Sequence, residues 1–155
     1  MTNPTIFAAG IGDATNRFVS RSEPQGTLPQ KTIATIPAVT VAGTNIGMIR
    51  FERNFSLVGL AIKSDDLDTG TAVLLDVGFL LDDTTGEDDN AFLDNIDIAQ
   101  DGGSLLWPVA DGLLTGISFV ATGGGWLSVT TRAASTTTAG DITVIAEFTY
   151  DLLGK

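Results

Sequence analysis

The side chains here with the most chemical potential are carboxylates. Asp65, Asp66, Asp68, Asp82, Asp83, Glu87, Asp88 and Asp89 fall in two short stretches. Two carboxyl groups held across a sugar ring are what glycoside hydrolysis requires. These acids instead crowd into turn-forming sequence with no aromatic platform beside them, which reads as solvated loop carboxylates. Calcium is the second chemistry to test. Asp66-Leu67-Asp68-Thr69-Gly70 opens like an acidic calcium loop. Its third ligand and its glycine are out of place, however, and Val77 stands where a bidentate glutamate belongs. Asp82 to Asp89 offers clustered oxygens to a hard cation, but without a ligand spacing of its own. The expectation is that the protein needs no metal and no other cofactor.

Nucleophilic catalysis has less to work with. The chain contains no histidine and no cysteine, so the commonest general base and thiolate chemistry are both missing. The lysines are Lys31, Lys63 and Lys155, and none sits in a Ser-x-x-Lys pattern. Gly116-Ile117-Ser118-Phe119 misses the nucleophile elbow at its final glycine. Gly123-Gly124-Gly125 runs into Trp126 and Leu127 rather than the Lys and Ser/Thr of a phosphate-binding loop, and reads as a hairpin turn. Trp107 and Trp126 are the candidates for stacking on a sugar, although a core or interface role is commoner for such residues. No catalytic residue is assigned, and the chain reads as non-enzymatic.

The charge is unevenly spread. Residues 1–63 hold six basic and three acidic residues, whereas between Lys63 and Arg132 there are thirteen acids and no basic residue. Such a surface repels phosphate and anionic lipid, so neither nucleic acid nor membrane is an expected partner. No stretch approaches the roughly 18 apolar residues that span a bilayer, and Met1 to Gly10 lacks the basic start and apolar core of a secretory signal. Mean hydropathy is nonetheless positive, at +0.26. That apolar excess is accounted for by a well-filled core or by burial against other subunits.

The elements that must carry these residues read as strands. Lys31 to Ile36 alternates and stops at Pro37. Val39-Thr40-Val41 and Ile46 to Phe51 flank Gly43-Thr44-Asn45. Phe55 to Lys63 and Thr71 to Leu81 are longer runs, separated by turn formers from Ser64 to Gly70. Leu113 to Ala121, Trp126 to Arg132 and Asp141 to Tyr150 follow. In the last, Ile142, Val144, Ala146, Phe148 and Tyr150 share one face, the period of a half-buried strand. Asn90 to Ile98 fits either a short capped helix or a strand. The pattern predicts an all-β fold: a β-sandwich or jelly-roll-like body over residues 31–155, with at most one short helix.

Residues 1–30 read as an extended N-terminal arm. Pro4, Pro24 and Pro29 interrupt it, and its apolar residues come in short groups. Ile6, Phe7, Phe18 and Val19 are poor choices for a free tail. Together with Arg17 and Arg21 they are the candidate docking residues on a neighbouring subunit. The alternative for this segment is a disordered terminus.

Three segments carry a likeness. Ser64 to Gly70 running into Ala72-Val73-Leu74-Leu75-Asp76-Val77-Gly78, then Phe92-Leu93 with Ile98 to Gly103, and finally Ala139 to Phe148 resemble small β-rich virion structural proteins of tailed bacteriophages. The resemblance covers roughly residues 55–150 and lies in strand-and-turn patterns. It implies a capsid decoration or cement protein on the outer capsid surface, commonly a homotrimer, with the major capsid protein as its partner. A tail or head–tail connector component is the alternative within virions. A carbohydrate-binding β-sandwich module is the alternative from another class.

Overall fold

The computed structural model describes residues 6–7, 28–51, 55–82, 87–106, 118–119 and 124–150. All regular structure in them is β, in two sheets that close over one apolar core as a β-sandwich. The strands are β1 (Ile6–Phe7), β2 (Leu28–Ile36), β3 (Asn45–Phe51), β4 (Phe55–Ser64), β5 (Leu74–Leu81), β6 (Asp88–Ile96), β7 (Gly103–Leu106), β8 (Ser118–Phe119), β9 (Gly125–Arg132) and β10 (Gly140–Tyr150). Sheet A has the order β1-β3-β9-β5-β6 and sheet B the order β2-β10-β4-β7, with β8 also paired to β4. The β1–β3 pair is parallel and the others are antiparallel. No helix among the described residues is long and apolar enough to cross a membrane.

Alternation drives the sandwich. On β10, Ile142, Val144, Ala146 and Phe148 point into the core while Asp141, Ile145 and Glu147 face outward. They meet Ile46, Met48, Leu75, Val77, Leu127 and Val129 from sheet A. Each fully buried side chain of this size contributes about 1.5–3 kcal/mol. This shared layer is therefore what holds the two sheets together.

Asn90 to Ile98, which fitted helix or strand, is strand through Ile96. Phe92 settles the matter by packing on Phe79 of β5, with ring centroids 6.1 Å apart. The strand is irregular. Val77 opposes Leu93 but Phe79 opposes Asp88, so Asp89 to Phe92 bulge out of register. The bulge closes onto Gly78, where a Cβ would stand only 2.1 Å from the Asp88 carbonyl oxygen.

Two expected strand segments are not strands. Thr71, Ala72 and Val73 belong to a loop, because the Ala72 and Val73 N–H groups donate to the Asp68 carboxylate instead of a neighbouring strand. Val39-Thr40-Val41 is also loop. Val39 has a φ of 67°, in the left-handed region, and its N–H donates to the Thr136 carbonyl. Of Leu113 to Ala121, the described part is Ser118–Phe119, which is strand as expected.

Candidate docking surface

Of the loop carboxylates expected to be solvated, Asp65, Asp66 and Asp88 are exposed, whereas Asp68 is not. Asp68 is buried, at 5% exposure. Its Oδ1 accepts the Gly70 N–H at 3.0 Å and the Thr137 hydroxyl at 3.2 Å, and its Oδ2 accepts the N–H groups of Ala72 at 2.8 Å and Val73 at 3.0 Å. These amide donors, Ala72 foremost, hold the Asp68 carboxyl below the usual carboxylate range. The loop that resembled a calcium site thus turns its buried carboxylate toward its own backbone. Among the described residues, no group of three or more acids is arranged to hold a metal ion.

Asp76 on β5 is 2% exposed and takes the Arg132 Nε of β9 at 2.5 Å. Its other oxygen accepts the Asn95 N–H of β6 at 2.7 Å. Arg132 Nη2 reaches Asp89 at 2.6 Å, so one guanidinium ties β9, β5 and β6 together. The hydrogen bond to Asp76, and then the nearby Asp89 charge, keep that guanidinium above its ordinary value. At the other end of sheet A, Arg50 pairs with Asp82 through both guanidinium Nη atoms and lies over Trp126, 5.5 Å from the ring centroid. The Trp126 ring proposed for sugar stacking therefore already carries a cation on its face. Trp107 lies outside the described residues.

Apolar exposure is one-sided. Among the described residues the exposed large hydrophobics are Ile33, Val39, Val41, Leu106 and Ile145. All lie on the outer face of sheet B or on the connection that leaves its edge strand β2. The register places them. Ile33, Thr143, Lys63 and Ser104 form one row across β2, β10, β4 and β7, and Lys31, Ile145, Ala61 and Leu106 form the next. Ile33 and Ile145, each 40% exposed, are diagonal neighbours in this face, and Leu106 at 78% ends its row. Sheet A contrasts with this: the outward residues Asp76, Ser128 and Thr130 are buried.

Beyond β2 the chain makes a loop, residues 37–44. Thr40 is buried and donates its N–H to the Thr136 hydroxyl at 2.8 Å and its own hydroxyl to the Pro37 carbonyl at 2.8 Å. Val39 N–H reaches the Thr136 carbonyl at 2.8 Å, and Gly43 N–H the Thr131 carbonyl at 2.6 Å. The Thr131 hydroxyl donates to the Val41 carbonyl at 2.9 Å. The loop is thus clamped along its length, with Val39 74% and Val41 64% exposed between exposed Ala38 and Ala42.

Of the arm residues singled out from sequence, Ile6 and Phe7 form β1, paired with Ile46 and Gly47 of the same chain. Arg17, Phe18, Val19 and Arg21 lie outside the described residues. Sequence reasoning missed the sheet B face. Its signal was present in Ile145, which breaks the polar side of an otherwise alternating strand.

No protein-family model and no curated protein matches the chain. Its fold is similar to that of chains in three solved phage particles. One is in the capsid asymmetric unit of cyanophage Pam1, at 14% identity and TM-score 0.61, covering 92% of this chain and 99% of that one. Another is in the capsid of Ralstonia phage GP4, at 21% identity and TM-score 0.64, covering 81% of this chain and 85% of that one. A third is in the acidic stable capsid of Helicobacter pylori bacteriophage KHP30, at 13% identity and TM-score 0.50, covering 80% of this chain and 92% of that one. The two-sheet architecture is thus a fold found in chains of phage capsids.

Proposed function

We propose that this chain is a non-enzymatic structural protein of a bacteriophage particle, and within it a decoration or cement protein on the outer capsid surface. The observation that carries the reading is the match of fold to a chain of the cyanophage Pam1 capsid over 92% of this chain and 99% of that one. A chain of this size whose whole body corresponds to a capsid component fits an accessory subunit.

The site chemistry agrees. The buried acids are consumed in loop and strand ties, and the surface offers contact rather than reaction. Copies associate as a homotrimer through the outer face of sheet B. Ile33, Ile145 and Leu106 supply apolar contact there. Lys31 and Lys63, with Glu147 and Asp141, supply both signs of charge around it, so acidic chains can meet on this face without uniform repulsion. The trimer bridges subunits of the major capsid protein, and the arm residues Ile6, Phe7, Arg17, Phe18, Val19 and Arg21 add contacts to a neighbour. The acidic body keeps the protein away from packaged DNA.

The test is to add recombinant chain to particles assembled without it. Saturable binding in multiples of three, with shells that resist heating better once loaded, is the expected result. Absence of binding would sink the reading. Binding as a six- or twelvefold ring at the tail axis would transfer it to the tail or connector.

A further inference from the structure

We infer that loop 37–44 is a preformed apolar anchor that inserts into an apolar depression, with a neutral or basic rim, on the shell-forming subunit. This inference rests on the capsid reading above and names the surface that touches the shell. Val39 is the key residue. A β-branched side chain at a φ of 67° is a genuine outlier, and it persists here because Thr136 grips the backbone on both sides of it. The fold holds a strained residue in place and leaves its side chain 74% exposed, beside Val41 at 64%. Neither side chain contributes to the core, so the clamp serves what the loop presents.

The sequence around the anchor is free of charge. No Asp, Glu, Lys or Arg lies between Lys31 and Arg50, or between Arg132 and Asp141, and these are the two segments hydrogen-bonded to each other here. In a chain of formal charge −11 this is a deliberate-looking gap. A clamped loop also loses little conformational freedom on docking, so its small apolar area counts in full.

Two observations choose the occupant. The exposed side chains of the loop are one proline, two valines and two alanines, far short of the roughly 800 Å² per partner that a stable pairing of two copies takes. In addition, exposed Asp65 and Asp66 flank the same end of the sandwich: Asp65 N–H donates to the Asp141 carbonyl, and the Thr138 hydroxyl donates to the Asp66 carbonyl. A second copy approaching tip to tip would bring its own acids against them. A shell surface with an apolar depression and a neutral or basic rim satisfies both conditions.

The test compares three proteins for binding to particles assembled without this chain: wild type, the double variant Val39→Asp with Val41→Asp, and Val39→Gly. Circular dichroism, melting and light scattering accompany each. Wild type binds, the double variant loses binding by roughly a hundredfold or more, and both keep the same oligomeric state. Val39→Gly removes the side chain and relieves the left-handed backbone, so it melts no lower than wild type yet binds roughly tenfold more weakly. That split between stability and binding is one a purely structural role would not produce. Wild-type affinity in Val39→Gly, or in a folded double variant, would overturn the anchor while leaving the capsid reading intact. Loss of the oligomer in either variant would overturn it in favour of a contact between copies. Failure of wild type to bind would overturn the capsid reading itself.

Discussion

Arg132 on β9 reaches to the adjacent strand β5 to hold Asp76, its Nε 2.5 Å from a carboxylate oxygen of that almost wholly buried residue, and the opposite oxygen of Asp76 accepts the Asn95 N–H of β6. The acid is thus the joint of the outer half of sheet A. Removing one partner of a buried ion pair costs about 3–5 kcal/mol, and the partly exposed guanidinium moderates this. Asp76→Ala is expected to lower stability by about 2–3 kcal/mol in denaturant melts. A change within about 0.5 kcal/mol, the range of ordinary surface substitutions, would show that the network does not hold the strands.

Asp68 gives the protein an acid-sensitive joint. Its carboxyl is held below the ordinary value of 3.8 by the Ala72, Val73 and Gly70 amides. A carboxylate whose folded value is depressed stabilises the fold above its unfolded pKa, and that contribution disappears as pH falls through the folded value. Melting temperature should therefore drop as pH goes below about 4. In Asp68→Asn the melting temperature at pH 7 should be lower, and its further fall on acidification smaller. Parallel acid profiles for the two proteins would contradict this role.

The β6 bulge depends on the missing side chain of Gly78. A methyl group there would meet the backbone of Asp88 and Asp89, which cannot give way as a side-chain tip can. Gly78→Ala is expected to destabilise by at least the roughly 1–3 kcal/mol typical of overpacking. Hydrogen exchange should show the loss first as faster exchange in β6. Unchanged protection would mean that the bulge is not seated on this glycine.

The alternating strands were legible because polarity marks the face of most β10 residues, Ile145 excepted, and Ile142, Val144, Ala146 and Phe148 are buried together on one face as expected. It could not show that Asp68 and Asp76 are buried, because their partners come from 4–5 residues ahead in a loop and from strands across the sheet. A carboxylate in a turn looks solvated until those donors are placed. Val39-Thr40-Val41 misled for a related reason. Its β-branched composition argues for strand, and the threonines at 131 and 136 that capture its backbone lie some ninety residues away. The apolar face of sheet B was only partly legible: Ile145 stands out on the polar side of its own strand, but its neighbourhood with Ile33 and Leu106 follows from register, which no single strand reveals.

The arm is expected to be separable from the body, its described tie to sheet A being the short β1–β3 pair. β2 begins at Leu28, paired with Phe148, so a truncation should spare it. Deleting residues 1–27 removes only the two-residue β1 from the described sheets. The expected result is a melt lowered slightly, with binding to particles greatly weakened and more salt-sensitive in wild type than in the deletion, since Arg17 and Arg21 are lost. Unimpaired binding would refute the docking role of the arm. A collapsed melt would make it part of the core.

The proposed use of this fold as a capsid component underlies every binding outcome expected above. It is tested most directly by imaging particles loaded with the recombinant chain and locating the added density. Threefold clusters are expected on the outer capsid surface, with loop 37–44 turned toward the shell and sheet B outer faces meeting between copies. Density confined to the tail axis, density on the inner surface, or no ordered density at saturating protein would contradict it.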